Sequence, residues 1–297
     1  MSRVLCVGHA VQDYVFRLPQ LPDRGEKYRA TDFMTVGGGP AATAAVAIAK
    51  LGGSASLAAR VGDDPIAAAI ELELTGFGVD CRHLRRLPGC SSSLSAVFID
   101  DAGERMIVNH IDPRLPTSAD WLDGISLDGV DAVLADSRWP DGAKALLARA
   151  KRAGLPAVLD ADVPVPKDAA LLQGATHAAF SAPGLADYCN DDDPERALRH
   201  VAATTGIWCC VTLGADGVLF TNDSGVARIP AFGVNVVDTL GAGDVWHGAF
   251  ALALAEGADE PAAIRRASAS AALKVQRRGG RAGAPTRAEL DQFLETR

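Results

Sequence analysis

The stretch Val236-Val237-Asp238-Thr239-Leu240-Gly241-Ala242-Gly243-Asp244, continuing through Trp246 and His247 into an apolar run that ends at Ala255, decides how this chain reads. A β-branched start gives way to Asp238 and Thr239, then to three small residues, then to a helix predicted over 242–256. Small side chains at 241–243 let the backbone come close to an anion. The helix that begins there points unpaired N–H groups and the positive end of its dipole at the same place. Asp244 falls in its first turn, beside any phosphate held there. Its carboxylate reads either as a favourable charge at a helix N-terminus or as a general base that takes a proton from an attacking hydroxyl. The close succession Gly-Ala-Gly-Asp favours phosphoryl transfer.

Working outward, a second small-residue segment lies near the other end of the chain. Gly37, Gly38, Gly39 and Pro40 precede an Ala-rich run closed by Gly52, which predicts a helix over 40–51. Short apolar runs at 3–8, 54–62, 130–136, 156–162, 176–181 and 208–214 predict buried strands, with helices at 64–76, 141–154, 259–276 and 286–296. Repeated strand–helix units imply an α/β fold of three layers, α/β/α, around a mainly parallel sheet. Two regions break the alternation. Residues 14–36 and 93–110 read as hairpins and are expected to form a small separate β-sheet, a lid on one domain spanning 1–297.

Composition narrows the function. The 297 residues are 48% hydrophobic and 22% charged, ordinary values for a folded globular chain. The 29 Lys and Arg against 37 Asp and Glu give a net charge of −8, which argues against nucleic acid as the main partner. No run of about eighteen apolar residues is present, so no membrane span is expected. The N-terminal segment shows no signal-peptide pattern, and a cytoplasmic location is expected. The six cysteines have no metal-type spacing and read as reduced thiols.

Asp238 to Asp244 resembles the C-terminal signature of the PfkB/ribokinase family of carbohydrate kinases. Gly38-Gly39-Pro40-Ala41-Ala42-Thr43, leading to Lys50-Leu51-Gly52, is similar to that family's N-terminal diglycine signature. Arg60 to Asp64 and Val211 to Gly217 follow in the expected order, and the resemblance spans essentially the whole chain. It implies an ATP- and Mg2+-dependent transfer to a sugar hydroxyl with Asp244 as base. Gly241, Ala242 and Gly243 would form the anion hole. Asp13, just past the first strand, would bind sugar hydroxyls, and Gly38 and Gly39 would be the lid hinge. Thr212, Gly214 and Gly217 would lie along the nucleotide. Dimerisation through the lid sheet is common in the family.

Two positions depart from the pattern. Thr43 stands where the family often has a sugar-binding Asn, which puts ribose in doubt. The N-x-x-E motif that helps place magnesium is replaced by Ser181-Ala182-Pro183-Gly184, and the metal's protein partner is therefore unknown. Asp160 and Asp162 could hold metal-bound waters or be turn residues. Both departures, and the segments 36–46, 134–139 and 178–186, are similar to the sulfofructose-kinase branch of the family. That likeness implies an anionic ketose such as 6-deoxy-6-sulfofructose, phosphorylated at a primary hydroxyl, with its sulfonate on Lys27, Asn109 and Arg138. The same trio suits a phosphate or carboxylate, so a sugar acid or phosphosugar stays open. A catalytically silent sugar sensor also stays open. A nicotinamide dehydrogenase is disfavoured because Gly8 to Asp13 carries no G-x-G-x-x-G. His247 reads as packing or as a modulator of Asp244. The basic residues Lys274, Arg277, Arg278 and Arg281 read either as the outer edge of a nucleotide site or as a solvated helix end.

Overall fold

Five-residue apolar strands buried on both faces need helices on each side, and this requirement sets the architecture. The computed structural model describes all 297 residues. The first half runs β1 (Arg3–Gly8), β2 (Val11–Arg17), β3 (Asp32–Gly38), α1 (Pro40–Lys50), β4 (Ser54–Gly62), α2 (Pro65–Gly76), β5 (Asp80–Leu87), β6 (Leu94–Ile99) and β7 (Arg105–His110). The chain continues with β8 (Ala132–Asp136), α3 (Pro140–Arg152), β9 (Ala157–Ala161), α4 (Ala169–Gly174), β10 (His177–Ser181), α5 (Ala182–Cys189), α6 (Pro194–Thr205) and β11 (Trp208–Thr212). It closes with β12 (Val218–Asn222), β13 (Gly225–Ile229), α7 (Ala242–Ala255), α8 (Glu260–Val275) and α9 (Arg287–Glu295).

The large sheet has nine strands in the order β13-β12-β11-β10-β9-β8-β1-β4-β5. It is parallel except for the last hairpin, β12 and β13. Helices α1, α2, α7, α8 and α9 pack on one face, and α3 to α6 on the other. The four-stranded sheet β3-β2-β6-β7 stands apart. Strand order in the large sheet reverses between β1 and β8, the place where open α/β sheets leave a crevice at their C-terminal ends. Gly8 and Asp136 end those two strands.

Several elements differ from expectation. β5 was unreadable because DCRHLRRL is charged, and the structure shows why: it is the edge strand beside β4. α6 follows a good Asp193 cap whose side chain accepts from the Glu195 and Arg196 amides, a start signal the expected strand run left unused. The small sheet begins at Val11 rather than 14, so Asp13 lies within β2 and not merely beyond β1.

Candidate active site

The turn before α7 builds the expected phosphate end. Gly241 caps that helix in the left-handed region, with φ of 74°, and the Val245 amide bonds to its carbonyl at 3.0 Å. The expected anion hole needs one correction. The Ala242 amide is already given to the Thr239 carbonyl at 3.1 Å, whereas the amides of Gly241, Gly243 and Asp244 have no partner within the protein. The free donors are thus those three, and Asp244's own N–H is one that sequence reasoning missed. Burial first, then the nearby Asp160 carboxyl, pushes the Asp244 carboxyl up to about 7. A base poised near neutrality suits proton transfer from a hydroxyl.

Beneath it, His247 sits one turn on and is buried. Its Nδ1 lies 2.8 Å from the Gly243 carbonyl and 3.3 Å from Asp160 Oδ2, and Nε2 lies 3.2 Å from the Ala179 carbonyl. Burial raises the Asp160 carboxyl and lowers the His247 imidazole, while the ring contacts tie Gly243 to Ala179 of β10. His247 therefore holds the first turn of α7 in place.

Thr212, Gly214, Gly217, Ala242 and Gly243 line one cavity of about 430 Å³. Its walls are apolar, with Phe232, Val236, Trp246 and Val275 among them, and it opens onto the start of α7. A flat aromatic base fits such walls while its phosphates face the free amides. Gly217 has no room for a side chain: a Cβ there would meet the Ile229 carbonyl oxygen at 2.2 Å, and its φ is 86°.

On the other side of the crevice Asp13 is 8% exposed, its carboxyl raised by burial and countered by a hydrogen bond from Ser95. Asp13, Ser95 and Asn109 are direct cross-strand neighbours, and the Asn109 amide donates to Ser95 Oγ at 3.0 Å. Ser95 was missed because strand register is invisible in one dimension. A Cβ at Gly38 would sit 2.2 Å from Asp13 Oδ2, and Gly39 has φ of 90° with the His9 carbonyl oxygen 2.4 Å from its would-be Cβ. Thr43 is buried in α1, its methyl 3.4 Å from where a Gly241 Cβ would lie.

Asp136 is the organiser that sequence reasoning passed over. Its Oδ2 accepts the His9 amide at 2.7 Å and the Ala41 amide at 3.0 Å, and Oδ1 accepts the Arg138 amide at 2.9 Å. One buried carboxylate thereby ties the link to the lid, the first turn of α1 and the loop carrying Arg138. The signal was there, an Asp ending an apolar strand at the switch point.

Each member of the expected anion-binding trio is engaged elsewhere or open to solvent. Arg138 pairs with Asp162 at 3.0 Å, Asn109 bonds to Ser95, and Lys27 lies exposed on the β2–β3 loop. The basic group near residue 280 also differs from expectation. Lys274 is buried and donates to the Asp238 carbonyl at 2.9 Å, while Arg277 pairs with Glu289. Arg281 is 1% exposed and points inward. These three side chains carry structural contacts, so they do not form a nucleotide edge.

No group of three or more His, Cys, Asp or Glu side chains is placed to hold a metal ion. Asp160 is turned to His247, and the two Asp162 oxygens accept from Ser181 and Arg138. The donors fit a magnesium that arrives on nucleotide phosphates with its own waters, not an all-protein cage.

Residues 1–287 match the model of the pfkB family carbohydrate kinases. Ribokinase of Bacillus subtilis is 30% identical over 99% of this chain and 100% of its own length. A solved structure from Agrobacterium tumefaciens with a provisional ribokinase name superposes with a TM-score of 0.93 at 38% identity, covering 99% of this chain and 98% of that one. Arabidopsis thaliana ribokinase, solved with ribose and ATP, gives 0.85 at 26% identity, covering 99% and 98%. A match of this length, to a family model and to a relative over nearly the whole chain, places the chain in the pfkB family of carbohydrate kinases.

Proposed function

We propose that the protein transfers the γ-phosphoryl group of ATP to a primary hydroxyl of a small sugar, with an anionic ketose such as 6-deoxy-6-sulfofructose as the favoured acceptor. The observation that carries this reading is Asp244, a carboxyl raised to about 7 and set beside three unpaired amides. Asp13 and its neighbours Ser95 and Asn109 orient the sugar under the lid. Asp244 takes the proton as the hydroxyl oxygen bonds to the γ-phosphorus. The bond from that phosphorus to the β–γ bridging oxygen breaks, and ADP leaves. The amides of Gly241, Gly243 and Asp244 meet the charge that builds on the transferred group. Magnesium, when bound, would neutralise charge on the phosphates, and the partly exposed Asp162 would be the side chain to hold its waters. The Bacillus subtilis ribokinase and the Arabidopsis ribokinase with ribose and ATP support the sugar and the nucleotide. A Vibrio alginolyticus fructokinase, 28% identical over 99% of this chain and 99% of its own, supports a ketose. Six unpaired cysteines suit a reducing cytoplasm.

The anionic acceptor requires Arg138 to exchange Asp162 for the substrate and Lys27 to swing in with the lid. The Arg138–Asp162 pair favours a second reading in which the acceptor is neutral, such as fructose or ribose. ATP consumption across sulfofructose, fructose 6-phosphate, fructose 1-phosphate, ketodeoxygluconate, fructose and ribose separates them. Turnover of the sulfonated sugar, abolished in Asp244→Asn and weakened in Arg138→Ala, is the expected result. Turnover of neutral sugars alone would remove the anion pocket and keep the kinase. ATP binding without turnover of any acceptor would turn the reading to a sensor.

A further inference from the structure

We propose that Arg281 and Glu73 form a strut that sets the lid hinge relative to the phosphate end of the site, which makes Arg281 a positioning residue for phosphoryl transfer. Arg281 lies in the short turn Gly280–Gly283 after α8, far in sequence from everything it touches. Its main chain abuts the cap of α7: its amide nitrogen is 3.9 Å from where a Gly241 Cβ would lie. Its side chain runs the other way. Nε donates to Glu73 Oε1 at 3.1 Å and Nη2 to Glu73 Oε2 at 2.9 Å, a bidentate fork. Nη1 reaches the Gly38 carbonyl at 3.4 Å, and Glu73 Oε1 accepts the Gly37 amide at 3.3 Å.

One residue thus bears on the anion hole with its backbone and on the last two residues of β3 with its guanidinium. Gly38 in turn lies against Asp13, so the strut also reaches the sugar side. Gly37 is shaped around it. A Cβ there would lie 1.6 Å from Arg281 Nη2 and 2.3 Å from Glu73 Oε2, so the missing side chain is what admits the fork. A buried ion pair contributes little net stability compared with apolar packing. What a planar bidentate fork adds is a fixed distance and orientation, here between the hinge and the helix cap. The strut rests on the phosphotransferase reading only for its purpose; its existence as a mechanical link is tested without nucleotide.

The ligand-free full chain and the variants Arg281→Ala, Glu73→Gln, Gly37→Ala and Gly37→Ala/Arg281→Ala are compared by amide hydrogen exchange at residues 36–39 and 240–245. Arg281→Ala is expected to speed exchange about tenfold or more in both segments and to leave β8 to β10 unchanged. Gly37→Ala, which pushes the fork off the end of β3 while keeping both charged side chains, is expected to do the same, and it keeps the test open should Arg281→Ala fold poorly. The double variant is expected to match Arg281→Ala alone, because both changes remove one contact. Unchanged exchange at either segment, or additive effects in the double variant, overturns the strut. Arg281→Lys is expected to recover part of the protection at both. Magnesium AMP-PNP titrated into the same samples separates the two readings. Absent binding in the wild type strikes at the nucleotide while leaving the exchange result to decide the strut. With an acceptor that is turned over, kcat in Arg281→Ala is expected to fall about tenfold while AMP-PNP affinity moves less than about threefold.

Discussion

Asp244 is half-buried and takes up a proton more readily than an ordinary aspartate, first because its surroundings desolvate it and then because the Asp160, Asp162 and Asp136 carboxyls lie near. Only its ionised form can accept the hydroxyl proton. Below about pH 7, kcat/KM is therefore expected to fall about tenfold per pH unit, with a plateau above. The same shift has a sign for stability. A carboxyl raised on folding stabilises the fold while protonated, and that contribution is lost as pH rises through about 7. Asp244→Asn removes the cost of ionisation, so it is expected to be inactive yet to melt about 3 °C or more above the wild type at pH 8, with the difference closing towards pH 5. A variant melting below the wild type at pH 8 would place the carboxylate's value in structure and not in catalysis. The place of Asp244 in the first turn of α7 was legible because three small residues and an apolar run mark where that helix begins. Ser95 and Asp136 were not, since their roles come from cross-strand register and from three amides converging on one carboxylate.

Among elements, the crossing of α1 and α7 matters most, because both N-termini aim into the crevice. The crossing is close because both helices present small residues. A Cβ on Gly248 would meet the Ala44 carbonyl oxygen at 2.5 Å, and Gly53 borders Ile48 and Leu252 in the same layer. Pro40 to Ala47 supplies mainly alanine for this reason, and the Ala41 amide is fixed by Asp136. Gly248→Val is expected to wedge the helices apart, lowering stability by about 1–3 kcal/mol in urea melts and reducing turnover more than nucleotide binding. Unchanged stability would mean that the helices slide freely past one another. These two helices, with β1 and β4, could be read from the sequence because capping glycines, prolines and apolar runs agree. The edge strand β5, the short α5 and the lid register could not. Their residues are charged, too few, or placed by partners distant in the chain.

At the scale of the whole molecule, the lid is a sheet covered on one side only. Its inner face buries Val15, Val97 and Ile99 against Leu240. Residues of the opposite parity face outward, where Phe33 packs on Tyr14 and Phe16, and Phe16 on Phe98. Phe33 is 52% exposed and Val108 is 57% exposed, and every residue of the edge strand β7 is open to solvent. An apolar face beside an unpaired strand edge is a surface that soluble proteins seldom leave bare. A second copy of the chain is the expected cover, since a self-complementary strand edge and an aromatic face can pair about a twofold axis. Sedimentation at micromolar protein is expected to give twice the chain mass. Phe33→Lys together with Val108→Lys is expected to give monomers with the large sheet intact. In those monomers the loop carrying Lys27 and the strand carrying Asn109 lose their support. The acceptor KM should then rise several-fold while affinity for nucleotide stays the same, because no residue of the small sheet lines the cavity beside α7. A wild type that sediments as a monomer would leave the aromatic face to a different partner and make the lid's position over the crevice a matter of the hinge and its strut alone.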